Sequence, residues 1–286
     1  DVFSTTVTTA EGCFKGCSKL TNIPQGLFDT NVNINNFSNC FYDCIVLREI
    51  PSGLFDKNVK STNFSGCFRN CKKLEYIPVS LFENNNKVDN FSFLFAECYE
   101  LKNIPQGLFD NNVLVTDFSN CFNTCYNITS IPENLFDNNV NVTSFMSTFM
   151  GTGITNIPEN LFINNINTTD FYNTFRNSRI TSISSLLFSK NVKAFNFEGC
   201  FKDCNLLSDI NEGLFDNNTA ITRIDSCFEY CSKLNIPCNL TTKGLPKLWE
   251  RDGSNGAVKI NSYSKFAAYT GTEFKSTVPV AWGGTM

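Results

Sequence analysis

Apolar positions along this chain fall into a pattern that returns about every 27 residues. In Cys121–Ser147, CFNTCYNITSIPENLFDNNVNVTSFMS, the order is Cys-Phe-x-x-Cys, an aliphatic residue, Ile-Pro, Leu-Phe-Asp-x-Asn, then Val-x-Val-x-x-Phe. Aligned on the Cys-Phe pair, copies start at Cys13, Cys40, Cys67, Leu94, Cys121, Thr148, Thr174, Cys200 and Cys227. Each is 27 residues long except those starting at Thr148 and Thr174, which are 26. A fixed period of this kind is the mark of a solenoid, where each unit buries its apolar face against the next.

Two local signals alternate within a copy. Val140-Asn141-Val142 and Val113-Leu114-Val115 place β-branched residues two apart, as a short strand requires. Phe118, Phe122 and Cys125 fall at helical spacing. Ile runs into Pro at Ile23-Pro24, Ile50-Pro51, Ile77-Pro78, Ile104-Pro105, Ile131-Pro132 and Ile157-Pro158. Proline holds the residue before it extended and is well placed in the first turn of a helix. Each coil therefore reads as strand, helical turn, strand, helical turn. Corners such as Asp110-Asn111-Asn112 and Asp137-Asn138-Asn139 are turns.

The expected fold is an α/β repeat solenoid, a leucine-rich-repeat-like stack of about nine coils of 26–27 residues with a divergent C-terminal cap. Strand pairing between coils would make it about 40 Å long on that face. Residues 1–238 form the solenoid and 239–286 the cap, which holds both tryptophans, Trp249 and Trp282. Asp1–Gly12 reads as the tail of an earlier copy, and the absence of an initiator Met suggests a trimmed or mature fragment.

Composition adds detail to this picture. Hydrophobic residues make up 42%, and 29 Phe against 8 Tyr and 2 Trp show one large apolar side chain used repeatedly. Net charge is −4 with both signs scattered, so no basic stripe offers itself to nucleic acid. No run of about 18 apolar residues is present, and membrane insertion is not expected.

Of the 14 cysteines, 12 form six Cys-x-x-x-Cys pairs, leaving Cys98 and Cys238. Thr148 with Thr152 and Thr174 with Ser178 take the same positions in the shorter copies. Buried free thiols, stacked as small hydrophobes, explain both facts; inter-repeat disulfides and a four-cysteine zinc site are the alternatives.

There is no histidine, which removes Ser-His-Asp and Cys-His nucleophile pairs and the commonest metal ligand. No Walker A or dinucleotide fingerprint appears, and no cofactor is expected. The recurring acids Asp29, Asp56, Glu83, Asp110, Asp137 and Asp216 sit beside turn asparagines. Turn capping is the plain reading; a calcium ladder or a carboxylate-pair glycosidase is the sharper one. The chain reads as a non-enzyme.

Between the inward apolar residues of each copy lie two free positions, forming two columns on one face. They are Thr21-Asn22, Arg48-Glu49, Glu75-Tyr76, Lys102-Asn103, Thr129-Ser130, Thr155-Asn156, Thr181-Ser182 and Ser208-Asp209. Charged and aromatic residues gather in the first half, so Arg48, Glu75, Tyr76 and Lys102 are the candidate ligand-binding face. A merely solvated face is the alternative.

Val115–Cys125 (VTDFSNCFNTC), followed by Ile128-Thr129-Ser130-Ile131-Pro132, resembles the BspA-type leucine-rich repeats of bacterial surface proteins over about Cys13–Pro237. The 27-residue length and the doubled Cys differ from the shorter repeats of that family. The resemblance implies an extracellular or cell-surface adhesin that binds protein or glycan. Similar repeats also imply a second setting, the receptor-binding module of a phage tail or tail-like particle.

Overall fold

The computed structural model describes residues 4–211, 213–235 and 270. The cap expected over 239–286, Thr270 apart, and Cys238 lie outside the described residues. From Thr9 onward the chain winds into coils that lie directly on one another. Parallel bridges link Thr9 to Asn36, Asn36 to Asn63, Asn63 to Asn90, Asn90 to Asp117, and so on through Ser144, Asp170 and Asn196 to Arg223. Each step is 26 or 27 residues, so the sequence period is the stacking period. The fold is a repeat solenoid.

No α-helix occurs among the described residues, and this corrects the α/β expectation. Those residues include two strands of two residues, β1 (Ser182–Ile183) and β2 (Asp209–Ile210), paired in parallel with Ser182 opposite Asp209. Where helical spacing predicted a helical turn, the chain makes consecutive tight turns. In Phe118–Cys125, the N–H groups of Cys121, Asn123 and Cys125 bond three residues back, to the carbonyls of Phe118, Asn120 and Phe122. The N–H groups of Phe118, Asn120, Phe122 and Thr124 instead reach the next coil, at the carbonyls of Ser144, Met146, Thr148 and Met150. Asn120 (φ 59) and Thr124 (φ 57) are left-handed. A left-handed residue at the third place of a turn flips a peptide plane and turns its N–H along the stack, which a helix cannot do.

The same two left-handed sites recur in every coil, as Gly12 and Gly16, Asn39 and Asp43, Gly66 and Asn70, Asn173 and Asn177, Gly199 and Asp203. Gly, Asn and Asp tolerate this geometry best, and in the remaining coils Phe93, Glu97, Thr124, Ser147, Ser226 and Tyr230 are held in it by the same stacking. In most coils the turns open on an Asn or Asp at the bridge position, with Thr9, Ser144 and Arg223 the exceptions. The side chains of Asn36, Asn63, Asn90, Asp117 and Asp170 each accept a bond at 2.7–2.9 Å from the backbone N–H two residues on.

The expected Val-x-Val strand is also corrected. Val142 is buried but Val140 is exposed on a turn, and the inter-coil bridge forms two residues later, at Ser144. Turn closure by Val142 N–H on the Asn139 carbonyl (3.2 Å) uses the bond a strand would need.

Three columns of phenylalanine fill the interior. One runs Phe41, Phe68, Phe95, Phe122, Phe149, Phe175, Phe201 and Phe228, with successive centroids 5.4–5.9 Å apart and planes within 12°. A second runs from Phe28 through Phe109 to Phe215, a third from Phe37 through Phe118 to Phe197, with tilted contacts of 4.6–5.1 Å between them. Offset parallel pairs at such distances add about 0.5–1.5 kcal/mol each beyond the burial of apolar area.

Eleven of the thirteen described cysteines are buried, and all thirteen are free; Cys13 and Cys17 are exposed. The thiol at the second position donates across the stack, in Cys98 as well, where Leu94 takes the first position: Cys71 to the Phe41 carbonyl (3.2 Å), Cys98 to Phe68 (3.2 Å), Cys125 to Phe95 (3.1 Å) and Cys231 to Phe201 (3.1 Å). Thr148 and Thr174, at the first position of the pair, also donate across the stack, to the Phe118 and Phe145 carbonyls (both 3.0 Å), whereas Thr152 and Ser178 at the second position donate within their own coil, to the Phe149 and Phe175 carbonyls at 2.8 and 2.7 Å. A small donor finds a backbone carbonyl at either position, so a hydroxyl can stand where a thiol does, but at the second position it takes a partner in its own coil.

The third residue of each Asp-Asn-Asn corner turns inward. Asn112 is fully buried, and its amide nitrogen donates to the carbonyls of Phe82 (3.2 Å) and Asn85 (2.9 Å) in the preceding coil. Asn58, Asn85, Asn139, Asn165, Asn191 and Asn218 repeat the pattern, forming an asparagine ladder along one corner.

Candidate recognition surface

The pairs of free positions lie on an extended segment between two inward aliphatic residues. Backbone bonds hold these segments side by side: Arg48 N–H to Thr21 O (3.4 Å), Glu75 to Arg48 (3.2 Å), Lys102 to Glu75 (3.1 Å), Thr155 to Thr129 (3.3 Å), Thr181 to Thr155 (3.2 Å) and Ser208 to Thr181 (3.0 Å). β1 and β2 are the part of this face where pairing is most regular. Leu74 and Ile77, buried on either side of Glu75-Tyr76, force the pair outward.

All four candidate residues meet on three successive coils. Glu75 stands between two cations, with Oε1 3.6 Å from Arg48 Nη1 and Oε2 2.5 Å from Lys102 Nζ. Lys102 Nζ also donates to the Tyr76 hydroxyl at 3.1 Å and lies 4.8 Å from its ring centroid. The hydrogen bond from Lys102, then its charge, hold the Glu75 carboxyl below the usual range, and the same bond pushes the Lys102 ammonium up. Tyr76 remains 54% exposed. The network is a set of solvent-facing groups, two positive and one negative, with an aromatic platform, and it has no buried nucleophile or general base.

A second column, which the sequence did not single out, precedes the aliphatic residue of each coil. Lys72 Nζ lies 5.7 Å from the Tyr99 ring centroid, and Tyr99 packs on Tyr126 with centroids 5.3 Å apart. Beside it Lys73 pairs with Glu100 at 3.3 Å. Aromatic residues standing immediately after the second Cys were the signal that marked it.

The recurring acids do not converge on a reaction centre. Asp29, Asp56 and Asp110 fold back over Gly26, Gly53 and Gly107 of their own turns, occupying the space a Cβ would need: the carboxylate oxygen lies 2.9, 2.9 and 3.0 Å from that point. This is the turn role. Among the described residues no cluster of three or more Cys, Asp or Glu has metal-binding geometry, and no helix is long and apolar enough to cross a membrane.

No family model matches the chain, and no curated protein matches it. Solved structures that resemble it include the Toll–Spatzle complex of Drosophila (17% identity, TM-score 0.31, covering 82% of this chain and 40% of that one). Others are the functional domain of InlJ from Listeria monocytogenes, described as including a cysteine ladder (13%, 0.33, 76% and 52%), and the LRIM1/APL1C complex (13%, 0.36, 64% and 38%). The chain thus spans about two fifths to a half of the length of those chains. At such TM-scores it is the coil geometry above that defines the fold.

Proposed function

We propose that this protein is a non-catalytic recognition solenoid of leucine-rich-repeat type that binds a protein or glycan at a cell surface, through the face carrying Arg48, Glu75, Tyr76 and Lys102. One observation carries the reading: where every inward column is nearly uniform from coil to coil, the charged and aromatic residues that vary on this face are knit into one solvent-facing network over three coils. Tyr and Arg are the residue types over-represented among residues that dominate binding energy. The likeness of the repeats to those of BspA-type surface proteins supports an extracellular setting, and the absence of histidine together with the turn-bound acids supports a non-enzymatic role.

The test replaces Arg48, Tyr76 and Lys102 together by Ala and measures attachment of the purified chain to whole cells and to a glycan array. The expected result is a loss of about tenfold or more in affinity, with unchanged urea stability because all three side chains face solvent. Binding equal to that of the unaltered chain discards the face.

A further inference from the structure

The two shorter coils lose their residue at the same corner. Between the second small residue and the next inward aliphatic, full-length coils carry two residues, Tyr126-Asn127 after Cys125 and Asn205-Leu206 after Cys204. The shorter coils carry one, Gly153 after Thr152 and Arg179 after Ser178. The first shortened corner packs closely under its neighbour, while the second carries the exposed Arg179. A Cβ on Gly153 would stand 2.6 Å from the Tyr126 carbonyl oxygen and 3.1 Å from that of Ile128, so only glycine fits beneath the preceding coil. Two such corners in succession cut a notch into the side of the stack, about 370 Å³ in volume.

Tyr126 forms one wall and Asn205-Leu206 the other, three coil spacings apart, or about 14 Å between backbones. The floor is saturated: the Thr152 and Ser178 hydroxyls donate to the Phe149 and Phe175 carbonyls at 2.8 and 2.7 Å. Asp203, at the rim, is engaged by Arg176 Nε at 3.1 Å. Arg179 is exposed, and among the described residues no carboxylate forms an ion pair with it. The notch therefore has a local positive charge in a chain whose net charge is −4. Its remaining free groups are a half-exposed aromatic ring, braced from behind by Tyr99, and the amides of Asn177 and Asn205.

We propose that this notch binds the carboxylated sugar of a glycan, a uronic or sialic acid unit. The Arg179 guanidinium fork pairs the carboxylate, the Tyr126 ring takes the apolar face of the pyranose, and the two asparagine amides bond its hydroxyls. The site shares no residue with the network at Arg48–Lys102, so either assignment can fail while the other stands.

The experiment titrates the full chain with glucuronic acid, N-acetylneuraminic acid, glucose and an acidic hexapeptide, read by saturation-transfer NMR and calorimetry. Both acidic sugars are expected to bind at least about tenfold more tightly than glucose. Arg179→Gln removes that preference, Arg179→Lys retains part of it, and Tyr126→Ala weakens all sugars together. Inserting one Asn after Gly153 and one after Arg179, restoring the longer corner, abolishes sugar binding. The proposal is overturned by equal affinity for glucose and glucuronic acid, by binding of the acidic peptide in place of the sugars, by no sugar binding, or by an Arg179→Gln variant that binds unchanged.

Discussion

Replacing Asn112 by Asp separates what the asparagine ladder does from simple filling of space, because the two side chains have nearly the same volume. Asn112 is fully buried, donates to the carbonyls of Phe82 and Asn85, and its Oδ1 accepts no bond. Removing both donated bonds costs about 1 kcal/mol each, partly offset by the loss of the unsatisfied oxygen, so Asn112→Ala should destabilise by about 1–3 kcal/mol. Asn112→Asp sets a carboxylate against two carbonyl oxygens with no donor, and burial of an unpaired charge costs several kcal/mol. At pH 7 it should be less stable than Asn112→Ala by about 2 kcal/mol or more. In the native state the new carboxyl has a raised pKa, so the folded chain holds a proton that the unfolded chain releases. Its penalty is therefore absent below the unfolded value of about 4 and grows as pH rises from there. Urea titrations followed by far-ultraviolet circular dichroism at pH 4 and pH 7 measure both effects. Equal midpoints for the Asp and Ala variants at pH 7 would refute the claim that donated bonds hold this corner.

The buried thiols predict sensitivity to alkali. Burial pushes Cys44 and Cys125 up to about 12 and Cys204 to about 11, while unfolded thiols titrate near their ordinary value. The native state thus keeps protons that the unfolded state gives up, and stability should be intact below about pH 8.5 and fall as pH rises towards 12. Mass-mapped iodoacetamide labelling at pH 8 should mark Cys13 and Cys17 and spare Cys67, Cys98 and Cys121; labelling of Cys98 at the rate of Cys13 would contradict the burial. Gly153→Ala pushes a methyl into the Tyr126 carbonyl and should lower thermal stability by about 1–3 kcal/mol, and a variant as stable as the parent would show that the shortened corner is not tightly packed.

The period and the inward columns were legible because identical spacing places like residues on one another, and Phe41, Phe68 and Phe122 are indeed stacked. The secondary structure departs from the helical expectation for a specific reason. Phe118, Phe122 and Cys125 keep a helix-like spacing because a run of tight turns also returns a side chain to the same face every three or four residues. Gly12, Asn39, Gly66, Asn120 and Asn173, just before each Cys-Phe position, carried the contrary signal, since that column favours left-handed residues. The asparagine ladder was hidden by its neighbours: Asn111 and Asn112 are indistinguishable by type, and only coil packing sends one to solvent and the other inward. The cluster at Glu75 was legible as a column, but its ion pairs depend on side-chain reach across coils. The notch followed from two 26-residue spacings whose structural meaning appears only once the corner losing the residue is known.

The location of those two deletions says where this architecture has slack. The phenylalanine files run unbroken past Phe149 and Phe175 although the chain there is one residue short in each round. Registration is renewed once per winding, so a change in contour is absorbed locally and not passed on to later windings. Such a molecule can vary its outline one residue at a time, acquiring or erasing a recess, while its interior stays the same.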